Sequence, residues 1–143
     1  MFFISPVKRN FLITTSDRFD GQIDRVRAIQ NHGFKLIKNY YLNTSHNLDV
    51  KYRKNMPMMR RLNKLFEENQ LNYVQERWFL PREEYEFYDL KNDPYELKNI
   101  IENEKYANLI EEFKFELNKW IKLSNDLGEK SEYDIIRESN IRN

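Results

Sequence analysis

The sequence predicts an α+β domain: a small antiparallel sheet of about four strands packed against a long C-terminal helix, with helices inserted between strands three and four. Three observations predict it. Four short runs rich in β-branched and aromatic residues, at 11–16, 25–29, 34–40 and 85–90, read as strands. Near the C-terminus Ile110, Phe113, Leu117, Trp120 and Ile121 recur at helical spacing and give one apolar face. Between the third and fourth runs, Pro57 opens a second helical stripe through Met58, Met59, Leu62, Leu65 and Phe66.

Along the chain, the first strand runs into a polar loop at 17–24, Asp17-Arg18-Phe19-Asp20-Gly21-Gln22-Ile23-Asp24. The next run alternates, with Val26 and Ala28 on one face and Arg25 and Arg27 on the other. Asn31-His32-Gly33 reads as a turn in which glycine accepts a positive φ, so runs two and three form an antiparallel hairpin. Residues 41–55 are polar without periodicity and read as a long surface loop. Asn72 with Gln75 has the pattern of a capping box and opens a shorter helix through Val74 and Trp78, which Pro81 closes. Tyr85, Phe87 and Tyr88 carry the fourth strand, Asn92-Asp93-Pro94 supplies a turn, and the long helix begins near Glu104. The expected organisation is a lead-in at 1–10, a folded unit at 11–126 and a charged, loosely held tail at 127–143 in which Tyr133, Ile135 and Ile136 dock locally.

A chain of 143 residues suits one domain with one core. Its formal charge of +1 provides no general field for nucleic acid or an anionic membrane, so neither is expected as a partner. The absence of cysteine excludes disulfides, a thiolate zinc site and a cysteine nucleophile. Lys8 and Arg9 interrupt the apolar start before the core of a signal peptide is complete, and no apolar run approaches the roughly 20 residues of a membrane span. Gly21, Gly33 and Gly128 are isolated, which leaves no phosphate-cradling loop or dinucleotide fingerprint.

Chemistry concentrates at Asp17, Arg18 and Asp20. An arginine fork matches a sulfate or phosphate ester and a carboxylate accepts from sugar hydroxyls, so these three are the candidate substrate-binding residues. The plainer alternative is a surface loop whose charges pair among themselves. His32 and His46 have no companion at metal-ligand spacing and read as surface residues. Arg60, Arg61 and Lys64, balanced by Glu67 and Glu68, read as a solvated helix face. No Gly-x-Ser-x-Gly elbow or triad order occurs, which argues against catalysis by the chain alone.

The segment from Glu86 to Ile100, Glu-Phe-Tyr-Asp-Leu-Lys-Asn-Asp-Pro-Tyr-Glu-Leu-Lys-Asn-Ile, resembles the Leu-Tyr-Asp-Leu-x-x-Asp-Pro-x-Glu-x-x-Asn-Leu segment near the C-terminus of type I sulfatases. The run from Asp24 to Tyr40 is similar to that family's Arg-Ala-Val-Arg hairpin. The Met56-Pro-Met-Met-Arg-Arg-Leu helix, the Trp78-Phe79 region and the helix ending near Trp120 are similar to the bacterial branch nearest heparan N-sulfatase (sulfamidase). The resemblance covers 11–126 and implies the smaller subdomain of an alkaline-phosphatase-like enzyme that hydrolyses sulfate esters or sulfamates of sugars. It implies a catalytic-domain partner, a sulfated saccharide substrate, and a location for Asp17, Arg18 and Asp20 facing the substrate cleft. The family's formylglycine, made from Cys/Ser-x-Pro-x-Arg, and its calcium belong to the large domain. Ser5-Pro6-Val7-Lys8-Arg9 has its proline one position early, so no cofactor, metal or catalytic residue is expected in this chain. The chain is expected to be inactive alone, as a fragment, split gene product or truncated form. The compartment stays open, a periplasmic or secreted parent being compatible with the resemblance. Two alternatives remain: a free-standing interaction module that binds a protein partner, and the equivalent part of a related phosphoesterase.

Overall fold

The structure, a computed structural model, describes residues 10–141; the lead-in up to Arg9, with its Ser5-Pro6 stretch, lies outside the described residues. Strands β1 (Leu12–Phe19), β2 (Gln22–Gln30), β3 (Phe34–Asn39) and β4 (Tyr85–Asp89) form one sheet in the order β1-β2-β3-β4, with every neighbouring pair antiparallel. Helices α1 (Lys51–Lys54), α2 (Pro57–Glu67) and α3 (Tyr73–Glu76) are inserted between β3 and β4. A 3₁₀ turn at Glu104–Tyr106 leads into α4 (Ala107–Leu123), and α5 (Glu132–Ile141) follows. This is the α+β architecture that the periodicities predict.

The register places Ile13, Ile29, Leu36 and Phe87 side by side across the sheet. Side chains alternate across a strand, so all four point to one face. There Ile29, Leu36 and Phe87 form a single buried cluster with Ile110, Phe113 and Leu117 of α4. Phe113 meets Phe11 and Phe87 edge-on at centroid distances of 5.2 and 5.3 Å, geometry that aromatic quadrupoles favour. Each such side chain contributes roughly 1.5–3 kcal/mol through removal from water, which makes the α4–sheet contact the main stabilising interface.

The turns differ from their sequence reading in physical detail. The expected 17–24 loop is paired strand, and only Asp20 and Gly21 lie between β1 and β2. Strand pairing satisfies backbone groups that a loop would leave to water, and a bulge between Ser16 and Arg18 absorbs the irregularity. Asp20, not Gly21, takes the left-handed conformation, with φ of 56°, which a short polar side chain tolerates. At the β2–β3 turn Gly33 has no positive φ. Asn31 makes that turn instead: its Oδ1 accepts from the backbone N–H of Gly33 and of Phe34, each at 2.8 Å.

Arg25 and Arg27 share the face of Ile29, on which α4 packs, and both are buried. Arg27, 2% exposed, lies beyond the end of α4. Its Nε donates to both oxygens of Asp126 at 3.0 Å, Nη2 to Asp17 at 2.7 Å and Nη1 to the Ser16 carbonyl at 2.9 Å. Burial opposes its charge, but Asp17 and Asp126 more than offset this and raise its pKa. Arg25 donates to the Gly128 carbonyl at 3.3 Å and Lys38 to Glu129 at 3.1 Å, so strand cations hold the α4–α5 connection. Ser131 Oγ accepts from the Asp134 N–H and caps α5. Among the described residues, no helix is long and apolar enough to cross a membrane.

Candidate functional site: a polar cluster on the second sheet face

Residues of alternate parity face away from α4. Register aligns Ala28 with Ile37 and Ile37 with Glu86, and Asn39 and Tyr88 share that side. The segment between β3 and β4 folds along it. Phe66 stacks on Phe79 at 4.5 Å, Val50 and Met59 are buried, and backbone hydrogen bonds join Asn47 to Trp78 and Arg82 to Leu42. The capping box forms as its spacing predicts: Asn72 Oδ1 accepts from the Gln75 N–H at 3.0 Å, and Gln75 Oε1 accepts from the Asn72 N–H at 3.1 Å. This fixes the single turn of α3, whose C-cap residue is Arg77.

Arg77, Glu86 and Tyr88 form the centre of the site. Glu86 is buried; its Oε1 accepts from Asn39 Nδ2 at 2.7 Å, and its Oε2 accepts from the Tyr88 hydroxyl. Arg77 donates to Tyr88 Oη at 2.8 Å and to the Leu97 carbonyl, and its guanidinium lies 3.8 Å from Glu86. Burial, and then the neighbouring Glu86 carboxylate, push the Tyr88 phenol well above its ordinary value. Burial lowers the Arg77 pKa, but Tyr88 and Glu86 outweigh it and hold that pKa up.

A second guanidinium, Arg82, is buried beside this centre. It donates to Asp24 at 2.6 Å and to the Ser45 carbonyl at 3.0 Å, while its buried Nε has no hydrogen-bond partner. His46 stacks on Trp78 at 5.7 Å, and the Arg53 guanidinium lies over the Trp78 ring and over Phe19. Burial, and then the charge of Arg82, lower the His46 pKa, so the imidazole is neutral at pH 7. His46, Arg77 and Glu86 line two adjoining clefts. One, of about 160 Å³, extends toward Tyr73 and Glu83; the other, of about 270 Å³, extends toward Trp78 and Tyr95.

Arg77 and Arg82 each sit against a carboxylate, so their positive charge is largely neutralised, whereas Arg53 lies over aromatic rings. Among the described residues no group of three His, Cys, Asp or Glu side chains could hold a metal ion.

The three residues singled out in the sequence lie at the tip of the β1–β2 hairpin, but their side chains do not converge. Asp17 engages Arg27; Arg18 donates to both oxygens of Glu132 at 2.6 Å; Asp20 is exposed at the turn. His32 is exposed, as read, and Lys64 pairs with Glu68 at 3.6 Å on a solvated helix face. His46 is not a plain surface residue: it is half-buried at the junction of both clefts. The signal for part of this cluster is the alternation Tyr85-Glu86-Phe87-Tyr88, which places Glu86 and Tyr88 together opposite Phe87. Nothing local in the sequence brings Arg77, Arg82 and His46 to them.

No protein-family model matches the chain. Over 130 residues, 90% of its length, it is 35% identical to an ulvan-active sulfatase of Formosa agariphila, of which it spans 22%. Two solved structures share its fold. One is described as a candidate sulfatase from Bacteroides thetaiotaomicron, with TM-score 0.53 and 15% identity, covering 90% of this chain and 19% of that one. The other is a protein in complex with its substrate D-glucosamine-2-N,6-O-disulfate, with TM-score 0.52 and 22% identity, covering 89% of this chain and 19% of that one. The chain thus spans about a fifth of the length of each of these three proteins.

Proposed function

We propose that this chain, related to a sulfatase over nine-tenths of its length, is the smaller subdomain of a hydrolase of sulfated saccharides, and that it caps the catalytic domain and completes the substrate cleft. The observation that carries the reading is the sulfatase match itself, 35% identical over 130 residues while spanning only 22% of the relative. The polar cluster of Arg77, Arg82, Glu86, Tyr88 and His46, which lines two clefts, is compatible with a role in substrate contact. Hydrolysis would then take place on the catalytic domain, and this chain would shape which saccharide reaches it.

Within this reading the β1–β2 hairpin tip contributes Asp17, Arg18 and Asp20 to the saccharide contact. Arg18 supports it best, being half-exposed with one nitrogen of its planar fork, Nη2, already donating to both oxygens of a carboxylate, an anionic group as a sulfate is. A sulfate ester would displace Glu132 from that fork.

The test is titration of the 143-residue chain with glucosamine 2-N,6-O-disulfate and with unsulfated glucosamine, followed by amide chemical shifts. The sulfated sugar is expected to shift Arg18 and Asp20 resonances, without turnover. Arg18→Ala abolishes the response. Glu132→Gln, which frees the same guanidinium, strengthens it. Release of sulfate by the chain alone, or equal responses to both sugars, contradicts the proposal.

A further inference from the structure

We infer that the two clefts flanking Arg77 form a second ligand site, separate from the hairpin tip, which binds a neutral, hydroxyl-rich ring such as an unsulfated sugar unit. The saccharide class rests on the proposed function; the existence of the site rests on its own geometry.

The first observation is an available polar group. The His46 imidazole stacks on Trp78 and lines both clefts, yet no hydrogen bond of its ring occurs among the described residues. A neutral imidazole presents one N–H donor and one lone pair, and neither ring nitrogen of His46 is among the buried polar atoms, so both remain open to a ligand from the clefts. A sugar hydroxyl, donor and acceptor at once, satisfies either nitrogen. Arg82 lines the same cleft with a buried Nε that lacks a partner.

The second observation is charge. Arg82 is matched by Asp24 and Arg77 by Glu86, and Glu83 adds a carboxylate at the rim of the smaller cleft. A free anion would meet guanidiniums that are already neutralised, together with an additional negative group. Hydroxyls suit both: a carboxylate accepts from them, and an imidazole N–H donates to them.

The third observation is the rim. Tyr73, Trp78 and Tyr95 border the clefts at 71, 40 and 80% exposure. Large aromatic surface left in water beside a polar floor marks an interaction site, and flat rings accept the C–H face of a pyranose. Aromatic walls with a few convergent polar groups are the usual construction of a small-ligand pocket.

The experiment titrates the full chain with methyl glucoside, methyl galactoside and methyl rhamnoside at millimolar concentration, reading side-chain and amide chemical shifts. At least one glycoside is expected to shift His46, Tyr73 and Trp78 while leaving Arg18 and Asp20 unmoved. Tyr73→Ala, at an exposed position where folding is not at risk, and His46→Ala each weaken binding about tenfold. Silence of all three glycosides at these residues overturns the inference, as does undiminished binding in both variants. If the clefts stay silent while a sulfated sugar binds at Arg18, this inference fails and the proposed function stands. If the clefts bind glycosides while the Arg18 response is absent, the reverse holds.

Discussion

Replacing Glu86 by Ala tests whether the second face of the sheet is held together by a polar network or simply roofed by neighbouring chain. Glu86 is 5% exposed. Its removal takes the acceptor from the Tyr88 hydroxyl and one of two acceptors from Asn39 Nδ2, which keeps its 2.8 Å bond to the Glu83 carbonyl. Arg77 loses its ion partner but keeps the Leu97 carbonyl and Tyr88, and its side chain is 26% exposed, so water screens part of the loss. Breaking a fully buried ion pair costs about 3–5 kcal/mol, and an orphaned neutral donor about 1–3 kcal/mol. Discounting for the accessible guanidinium, Glu86→Ala should cost about 2–4 kcal/mol and Glu86→Gln about half of that. Since domains of this size have about 5–15 kcal/mol in total, urea unfolding resolves the change as a lower midpoint at constant slope. A loss below about 0.5 kcal/mol, the range of surface substitutions, refutes the network.

Further outcomes follow from the turns, the basic strand and His46. Gly33→Ala should be neutral or stabilise by about 0.4–1 kcal/mol, because φ there is not positive and the added Cβ meets Lys91 Cε at an ordinary 3.5 Å. Asn31→Ala should destabilise by about 1–2 kcal/mol through loss of two hydrogen bonds; thermal melts that reverse this order contradict the turn assignment. Arg27→Leu leaves Asp126 unpaired and should cost about 3 kcal/mol while accelerating amide exchange at 126–129. Unchanged exchange there would falsify the clasp. His46 has a pKa below its ordinary 6.5, so the unfolded chain binds more protons beneath that value. The stability gained by keeping the ring neutral is complete above pH 6.5 and is lost as pH falls below it; His46→Gln should show a smaller drop between pH 7 and 5.

The sheet and its helix were legible because each obeys a local period. Ile110, Phe113 and Leu117 announce one helix face, and the strand runs announce their pleat. Asn72 and Gln75 were legible because a capping box is local chemistry at fixed spacing. The burial of Arg25 and Arg27 was not, because it depends on Asp126 and Gly128, about a hundred residues further along the chain. The same holds for the polar cluster on the second sheet face. Asp24, His46, Arg77, Arg82 and Glu86 are spread over three separate segments, and only Glu86 has a partner close in sequence, Tyr88. The β2–β3 turn differs for another reason: the sequence suggests a positive φ at Gly33, whereas the Asn31 side chain makes the turn by accepting two backbone hydrogen bonds. The similarity of the 86–100 segment to sulfatases was legible because it encodes a strand, an Asp-Pro turn and a return pairing in one short stretch. In the structure, Asp93 accepts from Leu97 and Lys98, and Ile100 donates back to Phe87.

The most direct measurement is a domain exchange. In the Formosa agariphila sulfatase the matching segment is deleted, or replaced by this chain, and sulfate release from its saccharide is followed. Deletion should abolish release, and the chain in place of the segment should restore it, with KM altered more than kcat. A folded exchange protein that releases no sulfate, or a deletion that remains fully active, contradicts the proposal that this chain completes a sulfatase cleft.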